Sequence, residues 1–325
     1  MPSVPQEARL SYRSRFMTFQ IAVLLLAHGT PDRVEEIPEY LRNVTGGRPV
    51  PEAILQEVTH RYTLIGRSPL TALTVQQARL LEEKIGIPVY VGMRNWHPYI
   101  PDTVRKMRES GVKQIIAICM APQNSLTSVG LYKQHTLAAA GDQMEIQFVD
   151  EWHSHPQLIQ AFGEKLRPVY DAASAELGVR PPVLFTAHSV PTRTIEAGDP
   201  YDRQARETAA LVAQQLGIAE RGWRFAFQSQ GMSGVPWIGP TVEETITALK
   251  QEGHRGVVIQ TVGFVCDHVE VLYDIDIAFQ RFAADHGMQL WRASSLNDSP
   301  LLISALADLV RTRIHDFTST VSARA

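Results

Sequence analysis

A repeated phrase constrains this chain more than any other feature. VLLLAHGTP at 23–31 returns as VLFTAHSVP at 183–191, and TVRKMRESGVKQII at 103–116 returns as TITALKQEGHRGVV at 245–258. The first pair is an apolar run ending in alanine, histidine and a turn. The second is a helical pattern that passes through glycine into another apolar run. One strand–turn–helix unit looks like many others, whereas two matches in the same order favour two related halves. Further apolar runs lie at 88–94, 114–121, 145–152, 224–230, 256–265 and 288–295, with those of the repeat at 22–29 and 183–190. Helical patterns separate most of them, at 71–85, 101–110, 155–178, 201–217, 241–252, 267–285 and 299–314. Continuous apolar strands alternating with helices predict parallel sheets covered on both faces. The expected fold is α/β, with two similar Rossmann-like domains and a cleft between them. The division is an N-terminal arm at 1–19, a first half at 20–155, a second at 156–315 whose last helix can pack back on the first, and a tail at 316–325.

In open α/β sheets, ligands bind beyond the carboxyl ends of the strands. That rule selects His28, Arg94, His188, residues 228–231 and the stretch GFVCDHVEVLYDID at 263–276. A helix over 267–281 would place Asp267, Glu270 and Asp274 on one face. Such a stripe is either a solvated acidic face or, at the end of a buried strand, a path for hard cations inward and protons outward. His188 reads either as a satisfied core histidine or as a proton acceptor and metal ligand. The same two readings apply to His28 in the matching turn. Within 228–245, Trp237 lies in a glycine- and proline-rich loop and could form a rigid slab over a flat ligand.

Composition narrows the partners. A net charge of −3 and a pI near 6.4 give no reason to expect nucleic acid. Two cysteines build no disulfide framework and form no CxxC pair, which fits a reducing cytoplasm. No apolar run approaches the roughly 20 residues that span a bilayer. Neither GxGxxG nor a P-loop sequence occurs, which argues against dinucleotide or ATP use.

Taken together, six segments resemble the ferrochelatase family. They are GTP at 29–31, RYTLIGRSPL at 61–70, GMRNWHPYI at 92–100, FTAHSVPTRTIEAGDPY at 185–201, FQSQGMSGVPWIGPTVEE at 227–244 and GFVCDHVEVLYDID at 263–276. The resemblance implies insertion of Fe²⁺ into a porphyrin bound between the halves, with haem as product class. Fe²⁺ is then a substrate, with no organic cofactor and no iron–sulfur cluster. It carries over His188 and Glu270 as the central catalytic and metal-handling pair, Asp274 further along the acidic path, and His268 beside it. Trp237 would line the porphyrin cleft, and Arg61, Ser68, Arg94 and Tyr132 would contact propionates or the macrocycle. His28 fills a variable position whose tyrosine form can ligate product iron, so axial ligation by His28 is expected, with a backbone-bonded histidine as the alternative. The segment APQNSLTSVGLYK at 121–133 resembles the coproporphyrin branch. Departures are Arg67 in a shortened IGRSPL turn, Ala278 where glutamate often continues the acidic path, and His28 itself. A cytoplasmic monomer that hands haem to an acceptor protein completes the expectation. The rival readings are a cobalt or nickel chelatase on another tetrapyrrole, and a non-catalytic porphyrin carrier.

Overall fold

In the computed structural model, residues 20–230 and 234–322 are described, with side chains up to residue 315. The expected arm at 1–19, Gly231 and the last three residues of the tail lie outside the described residues. Each expected apolar run carries a strand: β1 (Ile21–Ala27), β2 (Val89–Met93), β3 (Gln114–Cys119), β4 (Glu145–Val149), β5 (Val183–His188), β6 (Trp223–Gln228), β7 (Gly256–Thr261) and β8 (Gln289–Arg292). They form two four-stranded parallel sheets, ordered β2-β1-β3-β4 and β6-β5-β7-β8. The order is the same in both, so the repeated sequence is a repeated topology and the two Rossmann-like halves are present.

Alternation along β1 explains its burial on both faces. Val23, Leu25 and Ala27 enter one core, while Ala22, Leu24 and Leu26 enter another with Val104 and Met107. The first of these cores is continuous between the halves, joining Val23 and Leu25 to Val183 and Phe185 through Phe162, Leu166 and Leu306. Helix α6 (Pro156–Leu177) and the last helix, α12 (Pro300–Ser322), run through it, and α12 also packs on α3 (Leu70–Ile85).

Other helices follow expectation: α4 (Ile100–Glu109), α8 (Tyr201–Gln215) and α9 (Val242–Gln251). Thr241 starts α9 with a capping box, accepting from the Glu244 amide at 3.1 Å while Glu244 accepts from the Thr241 amide at 2.8 Å. Four helices lie outside the expected helical stretches: α1 (Ile37–Val44), α2 (Glu52–Ile65), α5 (Val129–Ala140) and α7 (Thr192–Glu196). Helices α1 and α2 form a cap on a separate small core of Ile37, Tyr40, Leu41, Tyr62 and Trp96, with Val269 of the second half against it.

The expected continuous helix over 267–285 is corrected. His268 is extended (φ −161°, ψ −176°), so α10 begins at Val269 and ends at Leu272; a π-helical segment follows at Asp274–Phe279, then α11 (Gln280–Asp285). Asp267 is thereby held off the shared face. Its carboxylate accepts from Arg292 Nη1 at 3.1 Å, Ser295 Oγ at 2.7 Å and Asn297 Nδ2 at 2.8 Å. Asp276 accepts from the same Arg292 at 2.5 and 3.0 Å. Both are structural ion pairs.

Candidate active site

The strand-end rule holds, for a cleft of about 580 Å³ opens there and is lined from both halves. His28 follows β1, Arg94 follows β2, His188 ends β5, and residues 263–270 follow β7. Two glycines permit the close packing behind these walls. Gly29 has φ +83°, and a Cβ there would lie 2.9 Å from Trp96; at Gly263 a Cβ would lie 2.8 Å from the Ala187 Cβ.

On the second-half wall, His188 Nδ1 donates to its neighbour's carbonyl, Ser189 O, at 2.5 Å. That bond turns Nε2 toward Glu270 Oε1, 3.5 Å away. The other Glu270 oxygen lies 3.1 Å from His268 Nε2, and His268 Nδ1 lies 3.0 Å from the Cys266 carbonyl. Removal from water alone would depress the His188 pKa, but the charge and hydrogen bond of Glu270 and the Ser189 carbonyl outweigh it and raise it to about 9. For Glu270, burial pushes upward, yet His188 and His268 hold the carboxyl well below its usual range. The resting pair is an imidazolium and a carboxylate. Phe264 and Trp237 flank it, with ring centroids 6.4 and 6.3 Å from that of His188.

The first-half wall has the opposite character. Asn95 Nδ2 lies 3.0 Å from His28 Nε2 and 3.3 Å from Nδ1, so the amide donates to an imidazole lone pair. Burial and then the Arg94 charge lower the His28 pKa to about 3, which makes it neutral. The Arg94 guanidinium lies 5.1 Å from the centre of the Tyr132 ring, and burial pushes that phenol far up. Three buried polar atoms of cleft residues have no hydrogen-bond partner among the described residues: Arg94 Nη1, Ser68 Oγ and Trp237 Nε1. Buried donors of this kind are costly unless something else completes them.

Eight of the ten residues singled out from sequence therefore share one cleft: His28, Ser68, Arg94, Tyr132, His188, Trp237, His268 and Glu270. Arg61 and Asp274 lie behind the wall rather than on it. Arg61 Nη1 donates to Asp274 at 3.1 Å, its Nε donates to Glu57 at 2.8 Å, and its guanidinium lies 4.8 Å from the Tyr273 ring centre. Ser229 Oγ donates to the other Asp274 oxygen. Burial, above all, raises the Asp274 pKa. Among the described residues, no three His, Cys, Asp or Glu side chains form a ready-made metal cage. Sequence reasoning missed Asn95, Phe264 and the Thr30–Tyr62 hydrogen bond (2.7 Å) beside the cleft. All four lie within the segments that carry the family resemblance, which was their one signal.

Two related parallel half-folds that close on a cleft with a cationic wall and an acid–imidazole wall define a chelatase-type enzyme. The chain belongs to the ferrochelatase family, whose sequence profile, "Ferrochelatase", matches residues 20–314. A ferrochelatase of Acidobacterium capsulatum is 57% identical over 310 residues, covering 91% of this chain and 95% of that protein. A coproporphyrin III ferrochelatase of a Geobacillus species is 35% identical, covering 91% and 98%. The fold is similar to the solved structure of SirB from Bacillus subtilis with Fe³⁺ (TM-score 0.57, 12% identity, 90% and 95% covered). The protein is thus an enzyme that inserts metal into a porphyrin, a ferrochelatase of haem biosynthesis, with Fe²⁺ as a substrate. No described helix is long and apolar enough to cross a membrane.

Proposed function

We propose that the porphyrin is coproporphyrin III, and that His188 and Glu270 take up its pyrrole protons while Fe²⁺ enters. The carrying observation is the half-buried Arg94, whose Nη1 is buried without a partner among the described residues on the cleft wall. A propionate is its natural complement, because guanidinium and carboxylate pair through charge-assisted hydrogen bonds. Ser68 offers a second unpartnered group. Coproporphyrin carries four propionates against two on protoporphyrin, so it can use more of these groups. The name of the Geobacillus relative agrees with this choice.

Metal insertion releases two pyrrole protons as four nitrogens bind one Fe²⁺. The resting His188–Glu270 pair already holds one proton. It must shed that proton before Nε2 can accept one from the macrocycle, and Asp274, with its raised pKa, is the next carboxyl outward along the same segment. On the other wall, His28 would take the product iron as an axial ligand once the Asn95 amide gives up the single lone pair of the neutral imidazole. The reading also includes the domain division at 155/156, a monomer acting in the cytoplasm without organic cofactor or iron–sulfur cluster, and transfer of the product to a haem-accepting protein. Anaerobic Fe²⁺ insertion with coproporphyrin III and protoporphyrin IX side by side tests the substrate. One charge-assisted contact is worth about 1.5–3 kcal/mol, so a preference of about 10-fold or more in kcat/KM is expected. Equal efficiencies, or a preference for protoporphyrin, overturn the choice.

A further inference from the structure

His188 and Glu270 reach each other from different elements, the end of β5 and the single turn of α10. A third element sets that approach. Gln228 closes β6 directly opposite His188 in the sheet register, and it is 2% exposed. Its backbone carbonyl accepts from the Ser189 amide at 2.8 Å, which anchors the peptide whose own carbonyl orients the His188 ring. Its side chain works toward Glu270. The Gln228 Oε1 accepts from Thr186 Oγ1 at 2.8 Å, which fixes the amide plane, and Nε2 donates to the Glu270 backbone carbonyl at 3.0 Å. Ser229, next in the chain at φ +61°, grips Asp274 with its hydroxyl.

We infer that Gln228 is a positioning residue, whose carboxamide holds the Glu270 turn at working distance from His188. This rests on His188 and Glu270 being the reacting pair. A side-chain amide is suited to the task because it offers an acceptor to Thr186 and a donor to Glu270 in one rigid plane. A short helical turn of four residues has little stability of its own, so its placement depends on such outside bonds.

The test uses the full chain, with metal insertion measured from pH 6 to 9 for Gln228→Met, Gln228→Glu and Glu270→Gln, beside thermal melts. Gln228→Met keeps the volume and loses both bonds. It is expected to lower kcat by about 10–100-fold with porphyrin KM within about twofold, the scale seen when outer partners of functional groups are removed. Gln228→Glu is more diagnostic. A buried carboxyl is held protonated and can still donate to the Glu270 carbonyl, whereas its anion cannot. This variant is expected to approach wild-type kcat at low pH and to lose activity as pH rises, with an inflection absent from Gln228→Met. Wild-type kcat in folded Gln228→Met, or an effect on KM alone, overturns the inference. Should Gln228→Met fail to fold, Gln228→Glu decides: a pH-independent ratio to wild type overturns it. Glu270→Gln separates the two readings. If that variant is active, the reacting pair is wrongly assigned; if it is inactive while both Gln228 variants match wild type, only the positioning role fails.

Discussion

His28 and His188 occupy the same turn of the two halves, yet their charge states are opposite. Each follows an alanine at the end of the second strand of its sheet, and each lines the cleft. His28 faces Arg94 and is held neutral, with its pKa near 3, whereas His188 faces Glu270 and is raised to about 9. Burial pushes both downward. The neighbours decide the outcome: Arg94 stands just past β2, in the place that Gln228 fills in the other half, while Glu270 follows β7, the counterpart of β3. The repeated fold presents two equivalent imidazoles, and their different neighbours leave one neutral and the other charged. Backbone symmetry does not imply electrostatic symmetry.

The largest expected effect tests the charged side. His188→Ala and Glu270→Gln should each lower kcat by about 10²–10⁴-fold, the usual scale of a lost general acid–base group, with the melting temperature showing an intact fold. If instead His28→Ala were the more damaging change, the division of labour would be reversed.

Next comes the cationic wall. Arg94→Leu should lower kcat/KM for coproporphyrin III by roughly 10- to 150-fold, corresponding to about 1.5–3 kcal/mol for one charge-assisted contact. The same change removes a cation from beside His28, so the His28 pKa should rise from about 3 when followed by NMR. A fixed His28 titration would show that burial alone keeps it neutral.

The ion pair also has a signature in stability. Because the folded pKa of His188 is raised above the unfolded value of about 6.5, its stabilising contribution is fully present below that value and is lost as pH rises through about 9. The melting-temperature gap between wild type and Glu270→Gln should therefore be wide at pH 6 and narrow by pH 10. A gap that widened with pH would reverse the assigned charges.

The smallest effect is His28→Ala, which should shift the Soret band of the product complex while leaving kcat within about threefold, since ligand exchange at haem iron changes its spectrum without entering the insertion step. An unchanged spectrum would remove His28 from the iron.

Much of this was legible in the chain. Strands buried on both faces leave unbroken apolar runs, and all eight were visible; the repeated phrases gave the repeated sheet. Helices α2 and α5 were not, because α2 buries only Tyr62 and α5 scatters its apolar residues around its axis. The acidic stretch misled for another reason. Asp267, Asp274 and Asp276 differ in fate only through Arg292, Ser295, Asn297, Ser229 and Arg61, partners remote in sequence that no local spacing encodes. The strand-end rule selected Gln228 but not its role, and Asn95 was passed over, since a buried amide carries no pattern of its own.

The continuous core beneath the cleft has a mechanical consequence. With α6 and α12 threading both halves and α12 also gripping α3, the two sheets are strapped together like a fused joint rather than a clamshell. The width of the cleft is then set by packed core and not by a hinge. Helices α1 and α2 close over a small core of their own, and its edge touches Val269, the residue beside Glu270. The covering helices and the turn that carries the acid are in this way parts of one packed unit.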